Sequence, residues 1–146
     1  MRKWFLLIAP SLGFLSLTHA QEPVHWTFTA AAGQTVRLVA KIDSGWHVYS
    51  RVQPPEHICM PTQILFDKNP LVKFTGALQE KGRKQTFWDK TVGIKNYQYT
   101  DSVVYTRPFT LRGPVKTSVS GSITYQACTE HSCLAPKTIP FSIRVP

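Results

Sequence analysis

Cys128 and Cys133 sit in the stretch Tyr125-Gln126-Ala127-Cys128-Thr129-Glu130-His131-Ser132-Cys133, with four residues between the thiols. Two thiols this close can serve as a covalent staple, a metal clip or a pair that exchanges electrons. If the flanking segments pair as a hairpin with Thr129–Ser132 as its loop, opposed residues at its mouth have Cα atoms about 4.5–5.5 Å apart. A disulfide needs roughly 4.4–6.8 Å, so a Cys128–Cys133 bond fits. As a staple it contributes little: closing a ring of about six residues stabilises by about 2 kcal/mol in the chain-entropy model. A protonated His131 favours a thiolate on a neighbouring cysteine, and Glu130 opposes it.

The metal reading draws on a second cluster. His57 and Cys59 form a His-x-Cys pair followed by Met60. With Cys128, His131 and Cys133 they offer soft or borderline ligands of the kind that zinc or Cu(I) accepts. The clusters are some seventy residues apart in sequence. Cys59 can equally be a small buried hydrophobe. The residues alone leave the staple, redox and metal readings open.

These residues must be positioned by an exported, strand-rich domain. Residues 1–20 have the layout of a secretory signal peptide: basic Met1-Arg2-Lys3, an apolar middle, and Thr18-His19-Ala20 before Gln21. The apolar run is interrupted by Pro10 and Gly13 and is short for a membrane span. Residues 21–146 then form one domain in a compartment where disulfides persist. No later segment is long and apolar enough to cross a membrane.

The formal net charge is +9, and loss of Arg2 and Lys3 leaves +7. The basic residues are scattered, apart from Lys81-Gly82-Arg83-Lys84, so nucleic-acid binding is not expected. There is no glycine-rich phosphate loop and no acid/base pair that suggests a hydrolase. No cofactor is expected.

Apolar alternation predicts strands over 24–30, 35–42, 45–50, 62–66, 102–111, 118–127 and 138–145. Val24, Trp26 and Phe28 share one face, and Val36, Leu38, Ala40 and Ile42 another. Pro108 and Pro140 mark strands that are edges or begin there. Seven to nine short strands with turn residues between them point to an all-β, immunoglobulin-like sandwich.

The chain resembles the N-terminal periplasmic domain of the thiol:disulfide interchange protein DsbD, of the disulfide bond corrector-like family. The resemblance rests on Tyr125-Gln126-x-Cys128, the second Cys133 and the following Leu134-Ala135-Pro136. Weaker likeness lies in 41–50 and 60–66. It implies an immunoglobulin-like fold and a redox-active Cys128–Cys133 pair. It implies reduction by a thioredoxin-like domain or a membrane thiol reductant, and periplasmic disulfide-containing proteins as acceptors. In the family an aromatic cap loop covers the pair. Here Lys84–Lys90 matches it best, with Phe87 as cap and Trp88 beside it. Tyr49 and His47 would line the site, with Tyr125, Glu130 and His131 close by. The chain departs from the best-known members in having four rather than five residues between the cysteines. Cys59 is no part of the family pair, and the electron donor would have to be supplied separately. Two other readings remain: a protein-binding module with a structural disulfide, and an exported zinc or copper protein.

Overall fold

The structure is a computed structural model that describes residues 21–31 and 34–145. The signal-peptide reading of residues 1–20 falls outside the described residues. Among the latter, every regular element is a strand, and no helix is long and apolar enough to cross a membrane.

Two sheets face each other. The larger is ordered around β7 (Ile94–Leu111). Along one edge β7 pairs with β2 (Thr35–Ile42) and then with β3 (His47–Tyr49), and β1 (Val24–Ala31) lies outside β2. Along its other edge runs β6 (Gln79–Asp89), succeeded by the short β5 (Val72–Phe74). The smaller sheet is ordered β10 (Lys137–Val145), β8 (Thr117–Tyr125), β4 (Gln63–Phe66).

The inward faces follow the alternation in the sequence. Val36, Leu38, Ala40 and Ile42 of β2 are all buried, as expected, with Tyr105, Ile123 and Phe141 from other strands. Full burial of a side chain such as Leu38 or Ile123 stabilises by roughly 1.5–3 kcal/mol. Aromatic contacts join the sheets: Phe28 meets Phe141 at 5.7 Å between ring centroids, and Trp26 meets Tyr125 at 5.4 Å.

Several strands differ from expectation. Gly45 and Trp46 belong to a turn, not to β3. Gly45 takes a φ of 82°, and Trp46 N–H donates to the Asp43 carbonyl at 3.1 Å. Residues 84–90, expected as a loop, mostly belong to β6, which forms a long hairpin with β7. The charged run of β6 hides it, because both of its faces are largely polar. Pro140 lies on the edge strand β10, as expected. Pro108 does not mark an edge: it sits inside β7, the most-paired strand. It is tolerated where β7 changes partners, after β6 pairing ends at Thr106 and before β5 pairing begins at Phe109.

Two glycines are fixed by close approach. The β6–β7 register slips between Gly82 and Arg83, with Asp101 at a φ of 65°. A Cβ on Gly82 would meet the Ser102 carbonyl oxygen at 2.5 Å. A Cβ on Gly121 in β8 would lie 2.0 Å from the Leu65 carbonyl oxygen and 2.7 Å from the Phe141 ring. Gly121→Ala therefore has to push β4 and Phe141 outward, and we expect a loss of about 1–3 kcal/mol. Urea unfolding of the oxidised protein measures it; an unchanged midpoint would refute the close approach.

Candidate functional site

The cysteine pair is placed by a change of sheet. β8 pairs with β10 as far as Tyr125↔Lys137. After Gln126 the chain leaves that sheet, and β9 (Ala127–Cys128) pairs with β3 of the larger one, Val48↔Ala127 and His47↔Cys128. The expected hairpin thus does not continue from β8 and β10 to the cysteines. Its loop is nevertheless Thr129–Ser132, closed by a Thr129 N–H bond to the Ser132 carbonyl at 2.8 Å. Leu134 N–H donates to the Ala127 carbonyl at 2.9 Å, and the Gln126 amide donates to the Leu134 carbonyl at 3.1 Å.

Cys128 and Cys133 are joined by a disulfide, with Cα atoms 4.0 Å apart. The two halves of the bond differ in access. Cys128 is fully buried and Cys133 is exposed. Thiol exchange requires an attacking thiolate to reach one sulfur, so the exposed half is the open one.

Cys133 opens onto a cleft of about 470 Å³. His47 and Tyr49 of β3 line it, as do Glu130 and His131 of the cysteine loop and Phe87 of β6. These five, all named from the sequence, line one cleft. Phe87 is 47 % exposed on the end of the hairpin, opposite Asn96 of β7. The other two expected members are elsewhere. Trp88, the next residue on the strand, points to the opposite face. There it lines a separate hollow with Pro54, Pro55 and Lys95, whose ammonium lies 5.7 Å from the Trp88 ring centroid. Tyr125 is buried against Trp26 and belongs to the core.

Sequence reasoning missed Asp89, Asn96, Gln98 and Gln126, which also line the cleft. Three of them lie on the β6–β7 hairpin, and reading β6 as a loop concealed its alternation. Asn96 is buried, and its Oδ1 accepts no hydrogen bond among the described residues.

The segment after β3 carries Ile58 and Cys59 to the same cleft. A polar frame holds it. Ser50 Oγ donates to Glu80 Oε1, and Arg51 N–H donates to Glu80 Oε2 at 3.1 Å. The Gln53 amide occupies the β7 edge as a strand would: Tyr97 N–H donates to its Oε1 at 2.8 Å, and its Nε2 donates to the Tyr97 carbonyl at 2.6 Å. Thr62 Oγ1 closes the segment on the Tyr49 carbonyl at 2.6 Å. Burial and the Glu80 carboxylate push the Tyr99 hydroxyl up to about 12.

Burial also sets the cleft's titration. It lowers the His47 pKa, with the Glu130 carboxylate pulling the other way. It raises the Tyr49 hydroxyl and pushes the Cys59 thiol up to about 11. The five residues of the metal alternative do not form a ligand set. Cys128 and Cys133 are bonded to each other, and His57 Nδ1 is turned to the Pro54 carbonyl at 2.9 Å. Among the described residues no group of three or more His, Cys, Asp or Glu is placed to hold a metal.

The family model described as thiol:disulfide interchange protein DsbD, N-terminal, matches residues 16–143. The chain belongs to that family. Solved DsbD N-terminal domains share its fold. The reduced domain from Neisseria meningitidis superposes with a TM-score of 0.58 at 18% identity, covering 83% of this chain and 84% of that one. A second structure, of the complex between the DsbD N-terminal and PilB N-terminal domains of Neisseria meningitidis, gives 0.56 at 16% identity with 87% of each chain covered. The N-terminal periplasmic domain of ScsB from Proteus mirabilis gives 0.50 at 15% identity, over 84% of this chain and 44% of that one. No curated protein matches the chain. As a DsbD N-terminal domain the protein has the immunoglobulin-like fold expected of its sequence.

Cys59 gives a direct check on the cleft's environment. A thiol pKa near 11 leaves about a hundredfold less thiolate near neutrality than an ordinary cysteine has. Higher nucleophilicity of the more basic thiolate offsets part of that. Alkylation of Cys59 by iodoacetamide at neutral pH should be at least about tenfold slower than that of free cysteine. Its rate should still be climbing at pH 10. Labelling as fast as free cysteine would show that the thiol is not held in the cleft as described.

Proposed function

We propose that this domain relays reducing equivalents in the periplasm by thiol–disulfide exchange through Cys128 and Cys133. The observation that carries the reading is the asymmetric disulfide, buried at Cys128 and exposed at Cys133, opening onto a cleft beside an exposed Phe87. Family membership supports the chemistry. The small stabilisation expected of a six-residue ring argues against a purely structural bond.

In the first half of the cycle, a thiolate of a thioredoxin-like donor attacks Cys133 Sγ. The Cys128–Cys133 bond breaks, and Cys128 leaves as a thiolate that takes up a proton. The donor's second thiol then attacks the mixed disulfide, releasing Cys133 as a thiolate and the donor as a disulfide. Two electrons have entered the domain. In the second half, the Cys133 thiolate attacks an acceptor's disulfide. Cys128 then attacks Cys133 and expels the reduced acceptor. A membrane thiol reductant supplies the donor, and the acceptors are exported proteins carrying disulfides. Phe87 acts as the cap, limiting attack by stray thiols until a partner docks. The solved complex of a relative with a PilB domain supports docking of a folded partner on this fold.

Single-cysteine variants separate the roles. Cys128→Ala keeps the accessible thiol and cannot resolve a mixed disulfide. It should accumulate a covalent complex with an oxidised thioredoxin-like protein on a non-reducing gel. Cys133→Ala should give at least about tenfold less, because its remaining thiol is buried. Failure of both variants to trap any such partner would contradict the relay and favour a binding module with a structural disulfide.

A further inference from the structure

His47 stands directly across the strand pair from Cys128. Opposed residues on antiparallel strands place their Cβ atoms about 4.5–5.5 Å apart on one face. The His47 ring also lines the cleft onto which Cys133 opens, and it meets the Tyr49 ring edge-on at 5.2 Å between centroids. We propose that His47 is the proton acceptor and donor for Cys128, whose buried side chain does not meet solvent directly.

The need follows from the exchange chemistry, on which this inference rests. When a donor opens the disulfide, Cys128 becomes a thiolate in a dry site and must gain a proton. When Cys128 later resolves a mixed disulfide on Cys133, its thiol must lose one. In the first step His47 takes up a proton from water in the cleft and passes it to Cys128; in the second it accepts the Cys128 proton and releases it to the cleft. No electrons pass through the imidazole.

The surroundings suit a base that works near neutrality. Burial keeps His47 below the ordinary histidine value and hence unprotonated at neutral pH, ready to accept. Glu130, on the cysteine loop, favours the imidazolium once formed. The other titratable groups facing the cleft are Tyr49 on the same strand, Cys59 on the segment after it, Asp89 on β6 and His131 on the cysteine loop. His131 is exposed on the cysteine loop. His47 is the histidine opposed to the buried cysteine.

The test isolates ring closure. In a Cys59→Ala background, the reduced protein is mixed with dithiobisnitrobenzoate, and release of nitrothiobenzoate is followed by stopped flow. Attack by the Cys133 thiolate releases the first equivalent and leaves a mixed disulfide. Attack by Cys128 on Cys133 releases the second. With His47 present, the second phase should run at full rate at pH 7 and fall only at a pH below the ordinary histidine value of about 6.5, because burial lowers the His47 pKa. In His47→Gln and His47→Asn it should be about tenfold or more slower at pH 7, recovering only as Cys128 ionises unaided above about pH 8.5. Circular dichroism certifies the fold of both variants, and the first phase reports attack by Cys133 separately from closure.

Closure within twofold of the parent at pH 7 with an unaltered profile would overturn the proposal. So would a loss that follows His131→Gln instead. A parent profile with no inflection below pH 7 would overturn it without any variant. Failure of the relay would look different: the pair would close normally with this reagent yet trap no protein partner.

Discussion

The pairing of Ala127 and Cys128 with Val48 and His47 is the constraint on which the site depends. Two residues of β9 carry the chain from the smaller sheet to the larger. Because the backbone of Cys128 is fixed in the ladder, its side chain is buried and Cys133 is left at the surface. A six-residue ring floating on a loop would have no such asymmetry. Exchange at this bond would be directional in space: one sulfur can be reached, and the other would only leave or return.

The remaining parts of the site are arranged around that ladder. The β6–β7 hairpin extends past the bulge at Gly82 and brings Phe87 and Asn96 to the far side of the cleft. The segment after β3 would otherwise be free to swing. Its hold on Glu80 and on the backbone of Tyr97 fixes it instead. Each hydrogen bond of this kind nets about 1 kcal/mol, and those to a charged group more. The frame keeps Ile58 and Cys59 at the rim, so the cleft has a defined wall where a partner would dock.

Much of this was legible in the sequence, for identifiable reasons. The alternation of Val36, Leu38, Ala40 and Ile42 reports a half-buried strand, because only one face of the sheet meets the core. The cysteine spacing reports a closed ring, and His47, Tyr49, Phe87, Glu130 and His131 all reach the cleft. What failed has a common cause. β6 is exposed on most of its length, so no apolar period marks it. Missing that strand turned the Trp88 side chain to the wrong face. Tyr125 was misjudged for a related reason: the sheet change at Gln126 separates it from Cys128 although only two residues intervene. Pro108 was read as an edge because the switch of partners along β7 cannot be seen in one strand alone.

The central claim is that the Cys128–Cys133 bond is an exchangeable site on a fold that stands without it. A redox titration of the protein in thiol buffers, read by alkylation and intact mass alongside circular dichroism, tests it most directly. The account predicts reversible opening at a potential well above about −300 mV with the β-sheet spectrum unchanged. A bond that stays closed below that potential, or whose reduction unfolds the domain, would contradict it.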